Sequence, residues 1–117
     1  MTDAVRLRAS DKGVVFDMVY RPNGFLDRAR GLIGRPELGV GECMFFKNCN
    51  AVHMCFMTRS IDIFFLDEGY AVTKVVQCAR IFGFYRDAKA RHALECRAGA
   101  AATKGIEKGT IIIPEEF

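Results

Sequence analysis

Hydrophobic and polar positions alternate with period two through much of this chain, and turn residues interrupt the alternation at short intervals. Val5 to Ala9 and Val14 to Tyr20 read as strands joined by the turn Ser10-Asp11-Lys12-Gly13. Pro22-Asn23-Gly24 breaks the strand pattern. Phe25 to Ile33 then reads as a helix, with Asn23 as its cap and Gly34 and Pro36 ending it. Glu42 to Phe46 is a short strand, and Lys47-Asn48-Cys49-Asn50 is a loop. Ala51 to Met57 alternates, with Val52, Met54 and Phe56 on one face and Ala51, His53, Cys55 and Met57 on the other. Ile61 to Leu66 is apolar on both faces except at Asp62, as expected of a strand buried on both sides.

The second half continues in the same way. Asp67-Glu68-Gly69-Tyr70 is a hairpin turn into Ala71 to Gln77. Arg80 to Lys89 has no clear period and is expected to be a surface loop. Arg91 to Cys96 reads as a strand, Gly99 to Lys104 as a helical turn or two, and Thr110 to Ile113 as a last strand stopped by Pro114. About seven strands with short connections predict a mainly β, single-domain sandwich or barrel with one or two short helices. The remaining strands and the Phe25 to Ile33 helix are expected to pack on a central Ala51 to Leu66 pair.

The same segments carry a family resemblance. Gly41-Glu42-Cys43-Met44-Phe45-Phe46-Lys47-Asn48-Cys49-Asn50-Ala51-Val52-His53-Met54-Cys55-Phe56-Met57 followed by Ile61 to Asp67 resembles the signature of the bacterial and archaeal family called domain of unknown function 192. Arg28 to Arg35 resembles that family's opening helix motif. Leu94 to Gly99 and Gly105 to Gly109 resemble its closing motifs. The resemblance runs from about Arg28 to the C-terminus. It departs at Thr58-Arg59-Ser60, where the family usually has a basic residue, an aromatic and a proline. It implies a compact, mainly β domain and no established activity.

At 117 residues the chain has the length of one domain and enough residues for a core without disulfide staples. Met1 to Ser10 has no apolar signal region, and no apolar run reaches spanning length, so a cytoplasmic location without a membrane partner is expected. Five cysteines, an odd number without a CxxC pair, agree with reduced thiols. The net charge of +3 comes from arginines interrupted by acidic residues, so nucleic acid is not an expected partner. The glycines do not follow a phosphate-loop spacing.

Candidate chemistry centres on His53. By alternation it shares a face with Cys55, and Cys49 lies just upstream. The ligand spacing of a structural zinc site is absent, so neither metal nor cofactor is expected. Asp62 and Glu95 are carboxylates inside apolar strands and need partners. Arg35 and Arg59 are candidate cations. Cys49, His53, Asp62, Glu95, Arg35 and Arg59 together suggest a pocket for a small anionic ligand or peptide. A thiol-dependent or hydrolase-like enzyme built on Cys49 and His53 is one alternative. An interaction surface at Phe82 to Tyr85 is the other. His92, beside Arg91, is expected at the surface.

Overall fold

The computed structural model describes residues 2–22, 37–54 and 59–115, with side chains from residue 6 onward. Nine strands and one short helix occupy them: β1 (Thr2–Ala9), β2 (Gly13–Arg21), β3 (Glu42–Phe46), β4 (Ala51–His53), β5 (Ile61–Leu66), β6 (Val72–Val76), β7 (Phe84–Arg86), β8 (His92–Arg97), α1 (Ala100–Lys104) and β9 (Ile112–Glu115). The expected helix at Phe25 to Ile33 lies outside the described residues.

Seven strands form one sheet in the order β6-β5-β8-β3-β2-β1-β9, and β4 and β7 form a separate pair. All neighbours in the large sheet are antiparallel except β2 and β3. The sheet curls until its two edge strands approach. Ala71 bridges Ile111, the Val72 N–H donates to the Thr110 carbonyl at 2.8 Å, and the Ile112 N–H donates to the Tyr70 carbonyl at 2.9 Å. These bonds pair one end of the edges, and among the described residues the rest of β6 has no strand on its outer side, so the fold is a half-barrel.

Two cores lie on the two faces of this sheet. The first contains Phe16, Val19, Cys43, Phe45, Phe64, Leu66, Leu94 and Cys96, and it is covered by Ala100 and Ala101 of α1. The second contains Met44, Phe46, Ile61, Ile63, Phe65 and Ala93, with Val52 and Met54 of the small sheet laid over them. Every residue of β5 is buried, as its unbroken apolar run requires. Burial of a side chain such as Phe64 or Phe65 contributes about 2–3 kcal/mol each relative to exposure.

Three expectations are corrected. The Ala51 segment does not pair with Ile61 to Leu66: β4 pairs with β7, whereas β5 lies between β6 and β8. The Arg80 to Lys89 segment is not all loop, because Phe84–Arg86 supplies the partner that β4 needs. Pro114 does not stop the last strand. It lies within β9, the edge strand opposite β1, where its missing N–H forfeits no ladder bond.

Candidate functional site

The polar residues singled out from the sequence separate onto different faces. Asp62 and Glu95 sit one step out of register, Asp62 across from Cys96 and Glu95 across from Ile63. Period-two alternation therefore sends Asp62 toward the first core, with Phe64 and Leu66, and Glu95 toward the second, with Ala93.

Asp62 is fully buried and its carboxylate is occupied. It accepts N–H groups from Cys78 at 2.9 Å, Gly99 at 3.2 Å and Ala101 at 2.9 Å. Gly99 is the N-cap of α1, adopts φ 96° and has no side chain with which to cap. Asp62 thus supplies from β5 the acceptor that an N-cap side chain would otherwise provide.

Glu95 has a different environment. It is 7% exposed, and its strand neighbours are Met44 and Ile63. Among the described residues no hydrogen bond or ion pair reaches its carboxyl. Burial pushes its pKa up to about 8, so the group is a neutral acid at pH 7. Two residues further along β8 and on the same face, Arg97 reaches Glu37 at 3.6 Å, and Arg59 reaches the same carboxylate at 4.0 Å. Arg97 also lines a hollow of about 240 Å³ with Val40, Thr103 and Lys104.

His53 is exposed, because the inward positions in and just after β4 belong to Val52 and Met54. Its cross-strand partner is Phe84 rather than Asp62. Cys49 is half-buried against the second core, and its thiol donates to the Ala51 carbonyl at 3.1 Å. No hydrogen bond joins Cys49 to His53 among the described residues. Arg35 and Cys55 lie outside the described residues. Among the described residues no group of three or more His, Cys, Asp or Glu side chains is arranged to hold a metal ion.

His92 is corrected from surface to core. It is 4% exposed and lies between Phe45, with ring centroids 5.3 Å apart, and Tyr70, stacked at 5.1 Å. Its Nδ1 accepts the Asn48 N–H at 3.2 Å. Burial, then the charges of Arg91 and Lys47, lower its pKa. The alternation Leu94-Glu95-Cys96 extends back to His92 and places it on the Leu94 face. That signal was present in the sequence but was outweighed by the neighbouring Arg91.

Residues 7–113 match the model of the family described as DUF192, an uncharacterised ACR. The chain belongs to the DUF192 family. The match begins ahead of Arg28, so it takes in the end of β1 and all of β2. A protein of unknown function from Novosphingobium aromaticivorans DSM 12444 is similar at a TM-score of 0.78 and 24% identity, covering 94% of this chain and 84% of that one. A putative transcription regulator from Sinorhizobium meliloti 1021 is similar at a TM-score of 0.82 and 15% identity, covering 96% and 94% respectively. At these identities the likeness is one of fold: the mainly β DUF192 half-barrel recurs across divergent sequences. No curated protein matches the chain. No helix among the described residues is long and apolar enough to cross a membrane.

Proposed function

We propose that the protein is a binding module for a small anionic ligand seated on the Glu95 face of the sheet. The observation that carries this reading is the buried Glu95 carboxyl without a hydrogen-bond or ion-pair partner among the described residues. Desolvating a carboxyl costs stability, and a ligand that accepts a hydrogen bond from its protonated form would offset that cost.

The neutral acid donates one hydrogen bond, and Arg97 and Arg59 supply positive charge at the rim. In this reading the Glu37 carboxylate occupies the place of the ligand's anionic end. Arg35, two positions before Glu37 in the sequence, is proposed as a third cation. Asp62 is committed to α1 and Cys49 to a backbone carbonyl, so neither is assigned a ligand contact here. His53 faces outward from β4 and is not assigned one either.

Thermal shift of the full chain against a panel of small carboxylates and phosphates tests the proposal. At least one compound is expected to raise the melting temperature below the Glu95 pKa and to lose that effect above it. Glu95→Gln keeps a donor and should abolish the pH dependence, while Arg97→Ala should weaken binding at every pH. The proposal fails if no compound stabilises the protein, or if Glu95→Gln leaves the pH dependence intact.

A further inference from the structure

The turn leading into β7 has an unusual apex. The Gly83 N–H donates to the Arg80 carbonyl at 2.8 Å, which makes Ile81 and Phe82 the two central residues. Phe82 adopts φ 67°, the sign that the third residue of a type II turn needs and that glycine or asparagine normally supplies. For a bulky aromatic this is a strained backbone. Gly83 follows it, packed so closely that a Cβ there would meet the Tyr85 ring at 2.8 Å and the Arg80 carbonyl at 2.9 Å.

The surrounding hydrogen bonds hold this conformation. The Phe82 N–H donates to the Met54 carbonyl at 3.2 Å, the Met54 N–H to the Gly83 carbonyl at 2.8 Å, and the Arg80 N–H to the Tyr85 hydroxyl at 2.8 Å. The strain brings no burial in return. Phe82 is 74% exposed, Phe84 63% and Ile81 43%. Turn centres ordinarily carry Gly, Asn, Asp or Ser, and here two large apolar side chains stand at the apex of a hydrogen-bonded turn.

The charge around the tip points to its occupant. The sequence has no Asp or Glu from Cys43 to Ile61 or from Gly69 to Arg86, the segments that make the small sheet and its turn. Exposed Arg80 and Arg86 flank the apolar side chains, and Phe84 and Arg86 share the outward face of β7. An apolar apex with a cationic collar, in segments whose first acidic residue is Asp87 just past β7, is complementary to an interface that is negatively charged outside and apolar within.

We propose that this tip docks on an anionic lipid surface, Ile81, Phe82 and Phe84 entering the headgroup–acyl boundary while Arg80 and Arg86 meet lipid phosphates. The other polyanion with apolar parts is single-stranded nucleic acid, which binds by stacking bases on rings. Ile81 has no face on which a base could stack, and the most exposed ring stands at a turn apex rather than on a sheet face. The expectation of no membrane partner rested on the lack of a spanning segment, and a surface contact needs none.

Cosedimentation of the full chain with phosphatidylcholine vesicles, with and without phosphatidylglycerol, tests the proposal. Binding is expected to the mixed vesicles, to weaken with added salt, and to fall about tenfold or more in Phe82→Gly. Because glycine suits the positive φ, that variant should melt no lower than the wild type. Phe82→Asn, which also tolerates that φ, should behave alike. Arg80→Gln with Arg86→Gln should remove the preference for the anionic lipid. No binding to mixed vesicles, or equal binding by wild type and Phe82→Gly, overturns the proposal. So does retention by a mixed-sequence single-stranded DNA, lost in Phe82→Gly, when vesicles are not bound.

Discussion

The Asp62 carboxylate on β5 accepts the Ala101 N–H of α1 at 2.9 Å across 39 positions of sequence. The same carboxylate holds Gly99 and Cys78, so one buried side chain ties the sheet to the loop at Cys78 and to the start of α1. Asp62→Ala would leave three N–H groups without that acceptor. The expected loss is on the order of 3 kcal/mol by chemical denaturation. Asp62→Asn keeps one acceptor oxygen and should lose less. A variant as stable as the wild type would show that these three bonds contribute nothing net.

His92 should make the protein sensitive to mild acid. Its folded pKa lies below its ordinary value of 6.5, so the unfolded chain takes up the proton first. Its contribution to stability is therefore fully present above about 6.5 and is lost as pH falls through the folded pKa. Protonation also removes the Nδ1 lone pair that receives the Asn48 N–H. Melting temperature measured against pH should fall more steeply below this range in the wild type than in His92→Phe. Parallel curves would exclude His92 as the source.

Glu95 acts in the opposite direction. Its folded pKa is raised from 4.5 to about 8, so the folded state holds the proton more tightly than the unfolded one. Stability is greatest below the unfolded value and declines as pH rises toward 8. At pH 7 the penalty amounts to about 3 kcal/mol, as an order of magnitude. Glu95→Gln should therefore be more stable than wild type at neutral pH, and the difference should shrink toward pH 4. A destabilised Gln variant at pH 7 would mean that the carboxylate makes a favourable contact.

Cys43 and Cys96 face each other across β3 and β8, both fully buried, and both are free. Burial raises the Cys96 thiol well above its ordinary pKa, which suppresses the nucleophilic thiolate. Native alkylation should modify exposed Cys78 first and Cys43 and Cys96 only after unfolding. Mass spectrometry after denaturation without reductant should then find five alkylated cysteines. A Cys43–Cys96 bridge in freshly lysed cells would contradict this.

His53→Ala should change stability by less than about 0.5 kcal/mol, because an exposed ring opposite Phe84 leaves no cavity. Thermal unfolding of the variant checks this. A large loss would mean that His53 carries packing that its exposure does not show.

Much of this fold was legible in the chain because side-chain alternation is local. Val52 and Met54 point inward and His53 outward whatever strand lies beside them, and Ile61 to Leu66 is buried on both faces because no polar stripe interrupts it except Asp62. The turn at Ser10 to Gly13 follows from residues that tolerate tight backbone, with Gly13 at φ 77°, whereas the Asp67 to Tyr70 turn places its positive φ, 66°, on Tyr70. Pairing is not local. The sequence could not decide that β4 would join β7 and that β8 would separate β3 from β5, because those choices depend on how seven strands curl together.

The same division runs through the site. Sequence alone determined that Asp62 and Glu95 are buried carboxylates in need of partners. Register decided their fates. Asp62 lies across from Cys96 on the face that α1 covers, where three N–H groups reach it, while Glu95 lies across from Ile63 on the other face, where none among the described residues does. A shift of one residue reverses the face of every side chain in a strand, so the difference between a satisfied carboxylate and a neutral acid was settled only when the strands paired.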